Sequence, residues 1–223
     1  MKQRVISYIL FLSSYIPLFL ILFLQNLSDR YISIGLVVLI TISFIGLTGF
    51  CFTYENKGRN KEIIVKKVEN KGIDNLNYMS GYVIPFISLN MPIIVENKID
   101  IANVMSIIIL FFVLDYLYVK SNLYYVNPIL NLFYDISSIE STEGNSVILI
   151  GDKNKCFKSY DQFNTTHVIG NIYFGIMDKG KSIKRMIIIF TLIIAILIIV
   201  INKDNIWNIL NESVLTRIQQ MNK

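Results

Sequence analysis

The stretch YVNPILNLFYDISSIE, residues 125–140, marks a boundary at which the chain changes from one kind of structure to another. A long apolar run ends just before it, and alternating sequence punctuated by turn residues begins just after it. Proline disfavours the α conformation in the residue before it, so Asn127 is predicted to be extended and Pro128 to begin a new element. The stretch is either a simple turn or a joint that passes the movement of a membrane helix into a β-rich segment.

Long apolar runs lie on both sides of this boundary. The chain is 53% hydrophobic, its mean hydropathy is +0.53, and its apolar residues are clustered. A run of about 18 or more apolar residues is typical of a helix that crosses a bilayer. The predicted spans are residues 5–24, 32–52, 79–95, 101–119 and 186–201. We expect the first to be retained, because no small-residue cleavage site follows it.

The basic residues alternate between the segments that separate these spans. The segments 1–4, 53–78 and 120–185 carry 16 of the 21 Lys and Arg residues. Cytoplasmic loops hold the excess of Lys and Arg, so these segments are predicted to be cytoplasmic. The multi-pass chain would lie in the cell (inner or plasma) membrane with its N-terminus inside, and the bilayer accounts for the net charge of +5.

The segment 121–185 is predicted to be a small cytoplasmic β-rich domain. Its runs of β-branched and aromatic residues are separated by turn signals, which indicates three or four antiparallel strands. So few strands bury too little apolar surface to be stable alone, so the sheet should lean on a strand from loop 53–78, on the helices or on another subunit. The tail, 202–223, is predicted to be an amphipathic helix. The predicted fold class is an α-helical membrane protein with four or five transmembrane helices and a small cytoplasmic antiparallel β-rich appendage.

One face of the second span is built from small residues. At 100° per residue, these fall close together on the helix surface: Gly35, Ser43, Gly46 and Gly49. Small residues let two membrane helices approach closely. The face is therefore a candidate packing surface, either between subunits or against another span of the same chain.

Candidate hinge or coupling residues lie in the third and fourth spans and at the boundary in residues 125–140. Pro85 and Pro92 interrupt the third span, and proline kinks a helix by removing a backbone hydrogen bond. Asp115 is the only carboxylate within a predicted span, and charged groups inside a membrane point to function. It either pairs with Lys120 or reaches the interface. With Asn127 and Pro128 these residues complete the candidate set.

The sequence shows no constellation that would carry catalysis. Cys51, Cys156 and His167 lie far apart, whereas a metal site needs ligands at short spacings. They are interpreted as packing or surface residues, and no catalytic residue, metal or cofactor is predicted. We expect the chain not to be an enzyme. No cluster of basic and aromatic residues indicates direct binding of nucleic acid.

The motifs YVIPFI in the third span, then YVNPILNLFYDISSIE and SVILIG, resemble small bacterial membrane proteins. Some of these are similar to the membrane component of the Kiwa anti-phage system. The resemblance covers roughly residues 78–176 and implies a multi-span sensor with a cytoplasmic partner that binds DNA. The fifth predicted span departs from the four-span layout of that family. No catalytic residue carries over.

The function predicted from these observations is a binding or signalling component in the membrane. It would form a homo-oligomer or bind a cytoplasmic protein, as in a phage-defence sensor. The alternative is a small channel or transporter subunit that uses the kinked third span, since Pro- and Gly-interrupted spans can line a transport path.

The predicted topology can be tested with reporter fusions. Reporters after Gly58 and Asn154 should be active in the cytoplasm, and a reporter after Lys223 should be active outside, because the basic loops stay inside. Activity is read with a paired phosphatase and fluorescent-protein assay. A cytoplasmic signal after Lys223 would remove the fifth span from this topology.

Overall fold

The structure is a computed structural model of the full chain. It describes residues 2–27, 29–57, 61–71, 77, 93–95, 98–121, 125–141, 144–152, 162–175 and 180–202. All statements below about structure concern these residues. Pro85, Pro92, Cys156 and the tail beyond residue 202 lie outside them, as does the predicted third span up to residue 92.

Six helices are described, and most of them are apolar. They are α1 (Lys2–Ser14), α2 (Ile16–Gln25), α3 (Arg30–Asn56), α4 (Ile101–Lys120), α5 (Pro128–Phe133) and α6 (Lys181–Ile201). Within the described residues, α3, α4 and α6 are long and apolar enough to cross a membrane, and the pair α1 and α2 adds a fourth crossing if it is one span. The described part of the chain thus has helices of membrane-spanning length and composition, and the number of four or five transmembrane helices stays a prediction. Helix α6 begins before residue 186, so its first turns take up Lys184 and Arg185.

The bend between α1 and α2 has a local cause. The two helices meet at 43°. Pro17 lies in the first turn of α2 and has no N–H to give to the carbonyl of Ser13, so the regular ladder is interrupted there. The hydroxyl groups of Ser13 and Ser14 turn back to the carbonyls of Leu10 and Phe11, at 3.0 and 2.7 Å.

Helix α3 is the centre of the helical layer. It packs against α1 and α2 on one side and against α6 on the other. The rings of Phe44 in α3 and Phe190 in α6 stack with their centroids 3.7 Å apart. On the far side of α1, Phe11 contacts Phe111 and Tyr118 of α4 at 5.0 and 5.4 Å. The order across the layer is therefore α4, α1 with α2, α3 and α6.

The small residues of α3 do not share one neighbour. A Cβ added at Gly46 would lie 3.5 Å from Ile9 of α1, whereas Gly35 and Gly49 have nothing within 4 Å of theirs. Ser43 is buried and donates its hydroxyl to the carbonyl of Leu39. Within the chain, close packing against α1 is thus a property of Gly46. A role of the whole face between subunits stays a prediction.

A short hairpin precedes α4. Strands β2 (Ile94–Val95) and β3 (Lys98–Ile99) pair antiparallel, so the last two residues of the predicted third span form a strand. The backbone N–H of Ile93 donates to Oδ1 of Asn26 at 2.8 Å. This hydrogen bond ties the hairpin to the end of α2.

Five further strands close into a barrel. They are β1 (Lys61–Asn70), β4 (Tyr134–Ser141), β5 (Ser146–Asp152), β6 (Gln162–Ile169) and β7 (Ile172–Gly175), in the spatial order β1-β4-β5-β7-β6. Strand β1 from the predicted loop pairs with both β4 and β6, and this contact completes the ring. Each of the five strands thus has a paired neighbour on both sides over part of its length.

The described part of segment 121–185 contributes four strands, β4 to β7, as predicted, and β1 from loop 53–78 joins them as expected. The prediction that all of them pair antiparallel is wrong, because β5 and β7 run parallel. Strand β6 pairs antiparallel with β1, and a tight turn at Gly170, whose φ is 56°, makes β7 antiparallel to β6. Strand β7 therefore runs in the same direction as β1. Strand β5 also runs in that direction, because β4 is antiparallel to both β1 and β5, so β5 and β7 pair parallel.

Alternate residues of the strands belong to two different apolar clusters, as the two faces of a sheet require. The smaller cluster fills the barrel and joins β1, β4 and β5 through Ile63, Val65, Ile139, Val147 and Leu149. The other face carries residues that belong to the main cluster with the helices, among them Tyr134, Ile136, Ile150 and Phe174. The barrel is therefore packed onto the helical layer.

The packing at Gly46 yields a stability prediction. A Cβ at Gly46 would already contact Ile9, so the larger leucine side chain would crowd α1, and Gly46→Leu should lower the free energy of unfolding by about 1–3 kcal/mol. Gly35→Leu is the matched control on the same helix, because its site is open. The measurement is thermal unfolding of both purified variants in detergent. Equal stability of the two variants would mean that α1 and α3 do not pack closely at Gly46.

Candidate functional site

The helices and the barrel meet at the buried side chain of Glu55. Glu55 lies in the last turn of α3 and is only 5% exposed. The hydroxyl of Tyr134, the first residue of β4, donates to Oε1 at 2.8 Å. The backbone N–H of Gly180, at the start of α6, donates to Oε2 at 2.8 Å. One carboxyl group thus connects a long helix, the barrel and a second long helix.

The position of Glu55 is favourable in two ways. A buried carboxyl group is costly unless its oxygens accept hydrogen bonds, and here each oxygen has a donor. Gly180 is the N-cap of α6, so the carboxyl group also lies at the positive end of that helix. Gly180 has a φ of +81°, a backbone conformation that glycine adopts without strain.

Aromatic rings and a thiol surround this carboxyl group. Phe50 and Tyr54 of α3 contact Phe174 of β7, and Phe174 contacts Tyr134 edge to face with centroids 5.4 Å apart. The Cys51 thiol is fully buried beside them. Burial raises the pKa of the Tyr134 hydroxyl, and the nearby Cys51 and Glu55 raise it further. The hydroxyl therefore keeps its proton and serves as a donor.

A second polar connection is made by Asn127, which is fully buried. Its φ of −132° and ψ of 107° are extended, and its Oδ1 accepts from the N–H of Leu130 at 2.9 Å. Its Nδ2 donates to Ser13 Oγ at 2.7 Å and to the carbonyl of Leu10 at 3.1 Å. Asn127 therefore caps α5 and holds that helix to α1 at the bend before α2.

The local sequence explains this arrangement. Asparagine is a favourable N-cap, and proline fits the first position of a helix because its missing N–H is not needed there. The extended conformation predicted for Asn127 is confirmed, and Pro128 begins α5. Helix α5 has six residues and leads directly into β4, so these six residues are all that separate Asn127 from Tyr134. The name "junction" is used below for Glu55, Tyr134, Gly180 and Asn127 with their contacts.

Asp115 is not part of the junction. It lines a groove between α1, α3 and α4, and its Oδ1 is buried with no hydrogen-bond partner. Lys120, its predicted partner, lies over the ring of Tyr116 at 5.3 Å, and no ion pair of Asp115 is found among the described residues. The structure thus brings Asn127 and Pro128 into the junction and leaves Asp115 in a separate place.

The other predicted residues offer no chemistry in the described part of the chain. His167 contacts the carbonyl of Gly170 at 2.9 Å, and Cys51 is packed in the core. No group of three His, Cys, Asp or Glu side chains that could hold a metal ion occurs in the described ranges. The channel alternative depends on Pro85 and Pro92, which lie outside those ranges, so it stays a prediction.

Sequence reasoning missed Glu55 and Tyr134. The second span was predicted to end at residue 52, whereas α3 continues to Asn56 and carries Glu55 into the core. A signal was present, because Glu55 is the only acidic residue of α3. Its partner Tyr134 lies 79 residues away, which no local pattern indicates.

These features define a class of protein. It consists of apolar helices of membrane-spanning length, with a closed five-stranded barrel packed on them through buried polar contacts. A family model described as "Anti-phage protein KwaA" matches residues 6–174. The chain belongs to this KwaA family, and membership implies a role in anti-phage defence. The suspected relation to the Kiwa membrane component is thus confirmed. Searches of curated proteins and of solved structures found no match.

The contact between Asn127 and Ser13 can be measured. Asn127→Ser keeps a capping oxygen but cannot reach α1, whereas Asn127→Ala loses both functions. We expect a loss of about 1 kcal/mol of unfolding free energy for the serine and roughly 2–3 kcal/mol for the alanine.

Combining Asn127→Ser with Ser13→Ala completes a double-mutant cycle read by denaturant unfolding. The coupling energy should be at least about 0.5 kcal/mol, because the two side chains are in contact. Asn56→Ser, at the exposed end of α3, is the matched control. Additive effects of the two changes would show that the hydrogen bond contributes nothing.

Proposed function

We propose that the chain is a multi-pass membrane protein that acts in phage defence as a sensing or signalling component, without enzyme activity of its own. Its helices would detect a change in the membrane, and its barrel would present that change to a cytoplasmic protein partner or a second copy of the chain. Family membership supports the defence role. The apolar helices support the membrane location.

The positions of the chain segments support one orientation. Val5 and Ile6 near the start of α1 line a groove together with Thr53 and Lys57 at the end of α3, so both helix ends lie on the barrel side. At the opposite side, Arg30 at the start of α3 contacts Asn202 just after α6, at 3.5 Å. The helix ends that border the basic segments 1–4 and 53–78 therefore lie at the barrel side, which we place in the cytoplasm.

The observation that carries the proposal is the pair of buried polar connections at the junction. Glu55 ties α3 to β4 and α6, and Asn127 ties α1 to α5. Buried hydrogen bonds of this kind tolerate little misalignment, because a lost partner leaves an unsatisfied polar group. A tilt or rotation of α1 or α3 therefore has to displace β4. The junction would thus transmit movement of the helices into the barrel.

The proposal is tested by Tyr134→Phe, which removes only the hydroxyl that binds Glu55. Cells that carry the complete defence locus should lose much of their protection against phage, while the variant still accumulates in the membrane. The expected cost in stability is about 1–3 kcal/mol, that of one buried hydrogen bond with an acceptor left unpaired. Plating efficiency of phage and immunoblots of membranes are the measurements.

Tyr116→Phe is the matched control, because its ring is exposed on α4 and the change is chemically the same. It should leave protection intact. Asn127→Ser serves as a second junction variant in case Tyr134→Phe does not accumulate. Full protection by both junction variants at normal abundance would contradict transmission through the junction.

A further inference from the structure

The groove beside Asp115 is shaped like a binding site for an elongated apolar molecule. It lies between α1, α3 and α4 and has a volume of roughly 500 Å³, within the range of about 300–1,000 Å³ that ligand sites occupy. Its walls are almost entirely apolar and include Tyr8, Ile9, Leu12, Ile42 and Phe112. Among the described residues that line it, Asp115 is the only charged one.

Asp115 lacks a partner in this groove. Its Oδ1 is buried and accepts no hydrogen bond. A buried acceptor without a donor is costly, and the cost is larger for a carboxyl group than for a neutral one. The Asp115 side chain as a whole is only partly buried and lines the groove, so an N–H or a positive charge in the groove can lie beside its carboxyl group. The site therefore favours an occupant with such a group near Asp115.

The position of Asp115 along α4 bears on the chemical class of that occupant. Asp115 lies five residues before Lys120, the end of α4, which corresponds to roughly 7–8 Å along the helix axis. In a membrane this position is close to the headgroups on the barrel side. The apolar walls lie beside Asp115, where the acyl chains of a lipid would be. The groove therefore suits an amphiphile with a donor headgroup and an apolar chain.

We propose that the groove binds a phospholipid with a primary ammonium headgroup, phosphatidylethanolamine, whose ammonium donates a hydrogen bond to Asp115. An acyl chain lies along the apolar wall of α1 and α3. A choline headgroup has no N–H to donate, and a headgroup with net negative charge would be repelled by the carboxylate. This inference rests on the proposed membrane insertion, and it adds selectivity for one headgroup.

Headgroup selectivity can be measured on the full chain purified in detergent and stripped of lipid. Phosphatidylethanolamine and phosphatidylcholine with identical acyl chains are added in equal amounts, and bound lipid is counted by native mass spectrometry. The wild type should favour phosphatidylethanolamine by about tenfold or more, the factor that a hydrogen bond between charged groups contributes.

Two variants and a control locate the site. Asp115→Asn should weaken the preference several-fold, because an amide oxygen is a poorer acceptor for an ammonium group than a carboxylate of similar shape. Ile42→Trp should reduce binding of both lipids, because Ile42 lines the groove and the larger ring fills it. Glu62→Gln, an equal change of charge on exposed β1, should behave as the wild type. Thermal unfolding of each variant verifies that it is folded.

Each other outcome overturns the proposal. A wild type that binds both lipids equally has a groove without headgroup selectivity. A preference as strong in Asp115→Asn as in the wild type arises elsewhere on the protein. A change of oligomeric mass with Ile42→Trp and unaltered lipid binding would assign the groove to a second copy of the chain. Reporter fusions test membrane insertion separately, so a correctly inserted protein without selectivity contradicts the lipid site alone.

Discussion

The buried carboxyl group of Glu55 joins three parts of the chain that would otherwise end independently. Its two oxygens hold the first residue of β4 and the first backbone N–H at α6 to the last turn of α3. Without these two donors the buried carboxyl group would be unsatisfied, which would lower the stability of the folded chain. The direction in which α6 leaves the barrel, and the distance between the barrel and α3, both depend on this group.

The barrel also depends on α3 in another way. Strand β1 begins five residues after α3 ends, and β1 is the strand that pairs with both β4 and β6 to close the ring. The other four strands come from the opposite side of α4 in the sequence. The barrel is therefore assembled from two distant pieces of chain, and α3 positions one of them. Barrel and helices behave as parts of one folded unit.

The junction and the groove at Asp115 have different chemistry and suit different tasks. At the junction the carboxyl oxygens of Glu55 and the amide group of Asn127 have hydrogen-bond partners, which the proposed transmission of a displacement requires. In the groove, Asp115 has an unpartnered atom in apolar surroundings, which suits recognition of a molecule from outside. Both sites involve α1, since Asn127 binds at Leu10 and Ser13 while Ile9 and Leu12 line the groove.

The features that the sequence by itself determined are local ones. Apolar runs indicated α1 with α2, α3, α4 and α6, because a helix satisfies its own backbone hydrogen bonds and needs only length and composition. The extended Asn127 and the start of α5 followed from the sterics of Pro128. The β-rich character of the segment after α5 followed from its β-branched residues and turns.

Only the tertiary structure decided how these pieces meet. The partner of Glu55 lies 79 residues away and that of Asn127 lies 114 residues away, and the parallel pairing of β5 with β7 depends on β6 reaching β1. Local patterns carry no information on such pairings, because the free energy that favours them comes from burial that exists only when the distant segments are together. For the same reason the sequence placed Asp115 in a span but could not show that it faces a groove and lacks a partner.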